Sequence, residues 1–168
     1  APWRLHRLSI PVGDAISSVA MSNDGKRIVL SDGILAQVWD VATGEAVGKP
    51  LRHTRGATRL AFHPGGTLVA TTDAKRVLLW EAATGEPFGK PLEHANVVDV
   101  VAFSPNGSRI VTAAGLEARV WDIAPSAPVR KPMLHSGTVY GAVFSNDSKR
   151  ILTASSDKTA QVWDAESG

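Results

Sequence analysis

The 168-residue chain contains no cysteine, which excludes disulfides, thiolate metal ligands and cysteine nucleophiles. Aromatic residues are scarce at 6%, with a single tyrosine. Charge of one sign is also missing. Eighteen Lys and Arg against 16 Asp and Glu leave a net charge of +2, too little to argue for nucleic acid or an anionic membrane. No apolar run approaches the roughly 18 residues that a membrane span needs, so no membrane partner is expected. Residues Ala1–Arg4 do not start the basic-then-apolar pattern of a signal peptide. Together with the absent cysteine this sets the expected compartment as cytoplasmic. What is present is 43% hydrophobic and 20% charged, a globular composition long enough for one ordinary domain.

Within that composition the aromatic residues are placed periodically. Trp39, Trp80, Trp121 and Trp163 recur at intervals of 41, 41 and 42 residues. Met21, Phe62, Phe103 and Phe144 precede them by 18 or 19 positions, each followed by a turn such as Ser22-Asn23-Asp24-Gly25 or Ser104-Pro105-Asn106-Gly107. His53, His94 and His135 stand nine residues before the last three of these. An acidic residue follows every tryptophan (Asp40, Glu81, Asp122, Asp164). Agreement of so many registers identifies an internal repeat.

Each unit reads as short strands. Val97 to Phe103 is β-branched and apolar, with the length of a buried strand. A turn leads to Arg109–Thr112, and a second turn to Ala118–Asp122. Gly48-Lys49-Pro50-Leu51, Gly89-Lys90-Pro91-Leu92 and Arg130-Lys131-Pro132-Met133 mark a fourth strand. Proline donates nothing to a ladder, so this strand belongs at the sheet edge, where the adjacent lysine discourages aggregation.

Four antiparallel strands per unit, closed by Trp-Asp, resemble the WD-repeat family over essentially the whole chain. The resemblance implies an all-β fold of four-stranded β-propeller blades around a channel, four blades per chain, and a role in presenting binding surfaces. It also implies a structural hydrogen-bond tetrad, carried in full by His135, Thr153, Asp157 and Trp163. The other units hold parts of it. The second has His53, Thr71, Trp80 and an Asp73 one residue early. The third has His94, Thr112 and Trp121, with Gly115 in place of the carboxylate. The first keeps only Asp32 and Trp39, with Val12 and Leu30 elsewhere.

The expected division is an outer strand at 1–11 followed by blades at 12–52, 53–93, 94–134 and 135–168, the last without its outer strand. Ile10 aligns with Leu51, Leu92 and Met133. That offset resembles the family's closure, in which an N-terminal strand completes the C-terminal blade. It leads to an eight-bladed ring formed by a head-to-tail homodimer, with Trp3, Leu5, Leu8 and Ile10 as the assembly strand. The alternative is half of a larger chain.

Chemistry finds little foothold. Ser155 and Ser156 beside His135 and Asp157 suggest a hydrolytic triad, but parts of this set recur in every unit, whereas a catalytic set occurs once. His6, His53, His63, His94 and His135 are too dispersed for a metal site, and no nucleotide motif or cofactor is expected. The candidate binding face is basic: Arg52, Arg55, Arg59, Lys75 and Arg76, with Thr54 nearby. It suits an acidic peptide or protein patch and lacks the interleaved aromatics of a nucleic-acid site. The expected function is a non-catalytic protein-interaction scaffold. The alternatives are a regulatory or sensor segment of a bacterial kinase or NTPase and, ranked last, a propeller enzyme.

Overall fold

A computed structural model describes residues 9–10, 12, 15–124, 127–128 and 131–167 of the chain. Strands β1 (Ser18–Met21), β2 (Arg27–Ser31), β3 (Leu35–Asp40) and β4 (Ala46–Arg52) form the first sheet, in that spatial order. The second holds β5 (Leu60–Phe62), β6 (Leu68–Asp73), β7 (Arg76–Glu81) and β8 (Leu92–Glu93). In the third, β9 (Val98–Phe103), β10 (Arg109–Ala114) and β11 (Glu117–Asp122) carry two short outer pieces, β12 (Ala127–Pro128) and β13 (Met133–Leu134), both paired with β11. The fourth has β14 (Val139–Phe144), β15 (Arg150–Ser155) and β16 (Ala160–Asp164). Every pairing is antiparallel, and connections of two to five residues join the first three strands of each sheet. Among the described residues no helix is long and apolar enough to cross a membrane.

The turn between the first two strands is built the same way in three sheets. Ser22 Oγ donates to Asp24 Oδ1 at 2.6 Å and accepts the Arg27 N–H, so the serine closes its own turn. Ser104 with Asn106 and Ser145 with Asp147 repeat the arrangement. His63 replaces the serine in the second sheet. Its Nδ1 accepts the Gly65 N–H at 3.0 Å, which leaves Nε2–H to donate to the Gly107 carbonyl of the third sheet at 2.9 Å.

The core lies between consecutive sheets. Val29, Ala36, Val38 and Leu51 of the first meet Ala57, Val69, Trp80 and Ala82 of the second. Ala70, Val77, Leu79 and Leu92 of the second meet Val98, Ile110, Trp121 and Ile123 of the third. Val111, Ala118, Val120 and Met133 of the third meet Val139, Ala142, Ile151 and Ala165 of the fourth. Each sheet gives one apolar face forward and receives its predecessor on the other, so both faces of the middle blades are covered. Val97, expected in a buried strand, lies outside β9 and is 52% exposed.

The fourth strand differs from its expected form in two blades. Only in the first is Gly-Lys-Pro-Leu part of a continuous strand. In the second, Gly89–Pro91 falls between an isolated Trp80–Pro87 bridge and β8. In the third, Lys131 and Pro132 fall between β12 and β13. The reason is a bulge: Ala36 pairs with Leu51 and Val38 with Val47, which leaves Gly48, Lys49 and Pro50 opposite Gln37 alone. The Gln37 amide spans that gap, donating to both Val38 and Val47 carbonyls at 2.9 Å. Leu78 stands at the equivalent place in the second blade and has no donor. Arg119 holds it in the third but turns to Glu117. Lys49 also serves more than edge protection: its N–H bonds the Thr84 carbonyl and its ammonium pairs with Glu86 of the next blade.

Of the expected assembly strand, Trp3, Leu5 and Leu8 lie outside the described residues. Ile10 is half-buried and outside any strand.

Candidate functional site

Polar residues gather in two arrangements: a buried set inside the second, third and fourth blades and an open cleft at the rim of the second. In the fourth blade β15 brings Thr153 between His135 and Trp163. Trp163 Nε1–H donates to Thr153 Oγ at 2.8 Å. Thr153 Oγ lies 2.7 Å from His135 Nε2, and His135 Nδ1 lies 2.9 Å from Asp157 Oδ2. A carboxylate only accepts, so the Nδ1 carries the proton, Nε2 accepts, and the threonine hydroxyl donates to it. The order of donation therefore runs Trp163 to Thr153 to His135, with Asp157 fixing the tautomer. The Asp157 carboxyl is held well below the usual carboxylate range, first by the Thr159 hydroxyl at 2.6 Å. Burial opposes this shift, while His135 and the N–H groups of Thr159 and Ser136 reinforce it.

Loop length decides why only this blade assembles all four. Ala154 and Ala160 are the last pair across the hairpin, and the five intervening residues carry Asp157 back over His135. In the second blade Asp73 itself pairs with Arg76 across a two-residue turn. His53 still meets Thr71 at 2.7 Å and Trp80 donates to Thr71 at 2.8 Å. Asp73, however, accepts from Thr54 and Arg55 N–H and from Arg76 at 2.5 Å, and His53 Nδ1 is left buried without a partner among the described residues. Burial opposes ionisation of Asp73, but these bonds outweigh it and lower its pKa. In the third blade Thr112 joins His94 at 2.9 Å and Trp121 at 2.8 Å. Gly115 supplies the turn, and Glu117 is 3.9 Å from His94 Nδ1. Burial lowers the His94 pKa to about 4, against the pull of Glu117, and shifts His53 the same way. The first blade gathers nothing: Leu30 has no hydroxyl, and Trp39 Nε1 is buried with no acceptor among the described residues. Glu117, which from its sequence position could face the basic surface of the second blade, instead lies near His94, an approach that depends on the tight Gly115-Leu116 turn.

The basic residues divide. Thr54, Arg55, Asp73, Ala74, Lys75, Arg76 and Glu93 line an open cleft of about 480 Å³. Arg52 and Arg59 are outside it. Arg59 reaches toward the third blade, where its Nε donates to the Asp99 carbonyl at 2.8 Å. Arg76 is committed to Asp73 and Thr54. Arg55 and Lys75 are the exposed cations that remain in the cleft. Among the described residues no group of three or more His, Asp or Glu is arranged to hold a metal.

Antiparallel sheets with this hydrogen-bonded set are repeat blades of the WD type, compatible with a β-propeller. The family described as "WD domain, G-beta repeat" matches residues 45–81, 85–122 and 127–164, well over half of the chain. The chain belongs to the WD40-repeat family, whose repeats are characteristic of protein-interaction scaffolds. The crystal structure of the computationally designed Ika4 protein superposes with a TM-score of 0.79 at 24% identity, over 92% of this chain and 93% of that one. At that identity the likeness concerns the fold alone. No curated protein matches the chain.

Proposed function

We propose that the chain is a non-catalytic scaffold that binds an acidic peptide or acidic protein patch through Arg55 and Lys75, at the cleft they line with Thr54, Asp73, Arg76 and Glu93. The observation that carries the reading is the division of labour among polar groups. The histidines, threonines and tryptophans of the second, third and fourth blades are bonded to one another inside those blades. Arg55, in the loop between β4 and β5, and Lys75, in the β6–β7 turn, stand exposed. Arginine binds carboxylates through paired N–H donors.

The scaffold works as two copies closing one eight-bladed ring, with residues 2–10 as the strand that completes the partner's last blade. The alternative reading is a regulatory or sensor segment of a bacterial kinase or NTPase in a reducing cytoplasm. The binding reading is tested with a fluorescein-labelled Glu-rich peptide, followed by polarisation against a Lys-rich control. Saturable binding of the acidic peptide alone is expected, and it should be lost in Arg55→Glu/Lys75→Glu. Equal binding of both peptides, or none, overturns the reading.

A further inference from the structure

The three blade junctions share one residue pattern. The giving face presents Ala20, Val29 and Val38 in the first blade, and Ala102, Val111 and Val120 in the third. The receiving face presents Leu60, Phe62, Val69 and Trp80 in the second blade, and Ala142, Phe144, Ile151 and Trp163 in the fourth. A backbone bond registers each pair. The carbonyl of Gly33, Ala74 or Gly115 accepts the N–H of Ala57, Val98 or Val139 at 2.8–2.9 Å.

Counting along the repeat places the same two faces at the ends of the arc, uncovered. The fourth blade's giving positions are Val143, Leu152 and Val162, which are 52%, 45% and 66% exposed. The first blade's receiving positions are Val19, Met21, Ile28 and Trp39, with Val19 62% and Met21 58% exposed. Ile16, at the place of Ala57, Val98 and Val139, is 43% exposed. The equivalent residues at the inner junctions are buried or packed against the core. Ile10 stands in register with Leu51, Leu92 and Met133, the outer-strand side chains buried at the three inner junctions.

We infer that the fourth blade's Val143–Leu152–Val162 face docks on the first blade's Val19–Met21–Trp39 face of a second copy of this chain. The occupant follows from continuity with the inner junctions: the two faces are the two unlike halves of an interface the chain makes three times. One molecule carries both halves on opposite ends. A two-fold pair therefore makes the junction twice and leaves neither half open, which stops growth at the dimer. The inference rests on the two-copy ring proposed above and specifies its contact.

Glutamate substitutions at positions already exposed in the single chain test it, with sedimentation velocity giving the mass and circular dichroism the fold. The wild-type chain is expected at twice 17.7 kDa, and Val19→Glu and Val162→Glu each at 17.7 kDa with unchanged spectra. Mixing the two variants leaves one junction free of glutamate, so a mixed pair at twice 17.7 kDa is expected where neither variant pairs alone. A mixture that stays monomeric overturns the head-to-tail contact. Because the chain has no cysteine, Val19→Cys/Val162→Cys under mild oxidation gives an independent readout, a covalent dimer in denaturing gels. A wild-type monomer overturns the two-copy ring itself. A wild-type dimer that neither responds to the glutamates nor cross-links overturns only these faces.

Discussion

Thr153 does more at the level of single side chains than its size suggests, because its one hydroxyl both accepts from Trp163 and donates to His135. Thr153→Val keeps the shape and strands both partners, an expected loss of roughly 1–3 kcal/mol in chemical denaturation. Asp157→Ala should lower the denaturation midpoint more than Asp32→Ala, since Leu30 leaves no histidine–threonine chain in the first blade for Asp32 to complete. Equal losses would show that the tetrad does not explain the role of Asp157. The same geometry sets an acid dependence. Burial lowers His94 to about 4 in the folded state, whereas an unfolded histidine titrates near 6.5. Between those values the unfolded chain binds the extra proton, so stability is full above about pH 6.5 and declines as pH falls toward 4. His53, shifted the same way, adds to the decline. Thermal melts across this window should show it, with a shallower slope in His94→Gln. A flat profile in the wild type would contradict the burial of these rings.

Among the elements, the second-to-third-strand hairpins show how much turn length alters. The two-residue turns at Ala74-Lys75 and Gly115-Leu116 place no carboxylate over the histidine, and the five-residue turn of the fourth blade does. Ala74 pays for its tight turn with a φ of 53°, where the third blade uses Gly115 at 62°. A left-handed residue other than glycine costs about 1–2 kcal/mol, and glycine's extra unfolded freedom returns about half of that. Ala74→Gly should therefore raise stability by roughly 0.5–1 kcal/mol in urea titration, with the Ala74 carbonyl still accepting from Val98. A loss would mean the side chain packs more favourably than its half-buried position suggests. The outer strand obeys the same local logic. Gly-Lys-Pro was readable as an edge signal, but its continuity depended on the residue opposite the bulge, Gln37 in one blade and Leu78 or Arg119 in the others.

For the whole molecule, sequential blade packing is the organising fact, and the uncovered end faces are its consequence. Removing residues 2–10 tests the closure expected of the assembly strand. Light scattering should show the full chain at twice 17.7 kDa and the shortened one monomeric, polydisperse or aggregated. A shortened chain that remains a clean dimer would spare the paired end faces and exclude strand exchange. A full chain that stays monomeric at micromolar concentration would refute the ring.

The repeat, its turns between the first two strands and the regular spacing of His, Thr and Trp were legible in the sequence. Each is set by local spacing or by a side chain acting within a few residues of itself. What Asp73 binds instead of His53, which arginines stay free and where His63 sends its ring proton were not. Asp73 turns to Arg55 and Arg76, Arg59 to Asp99, and His63 to Gly107. These partners lie up to 44 residues away, and the choice among them is made by hairpin length and the approach of one blade to the next. Composition and periodicity placed the groups near a sheet. Only tertiary packing decided which of them would face each other and which would face water.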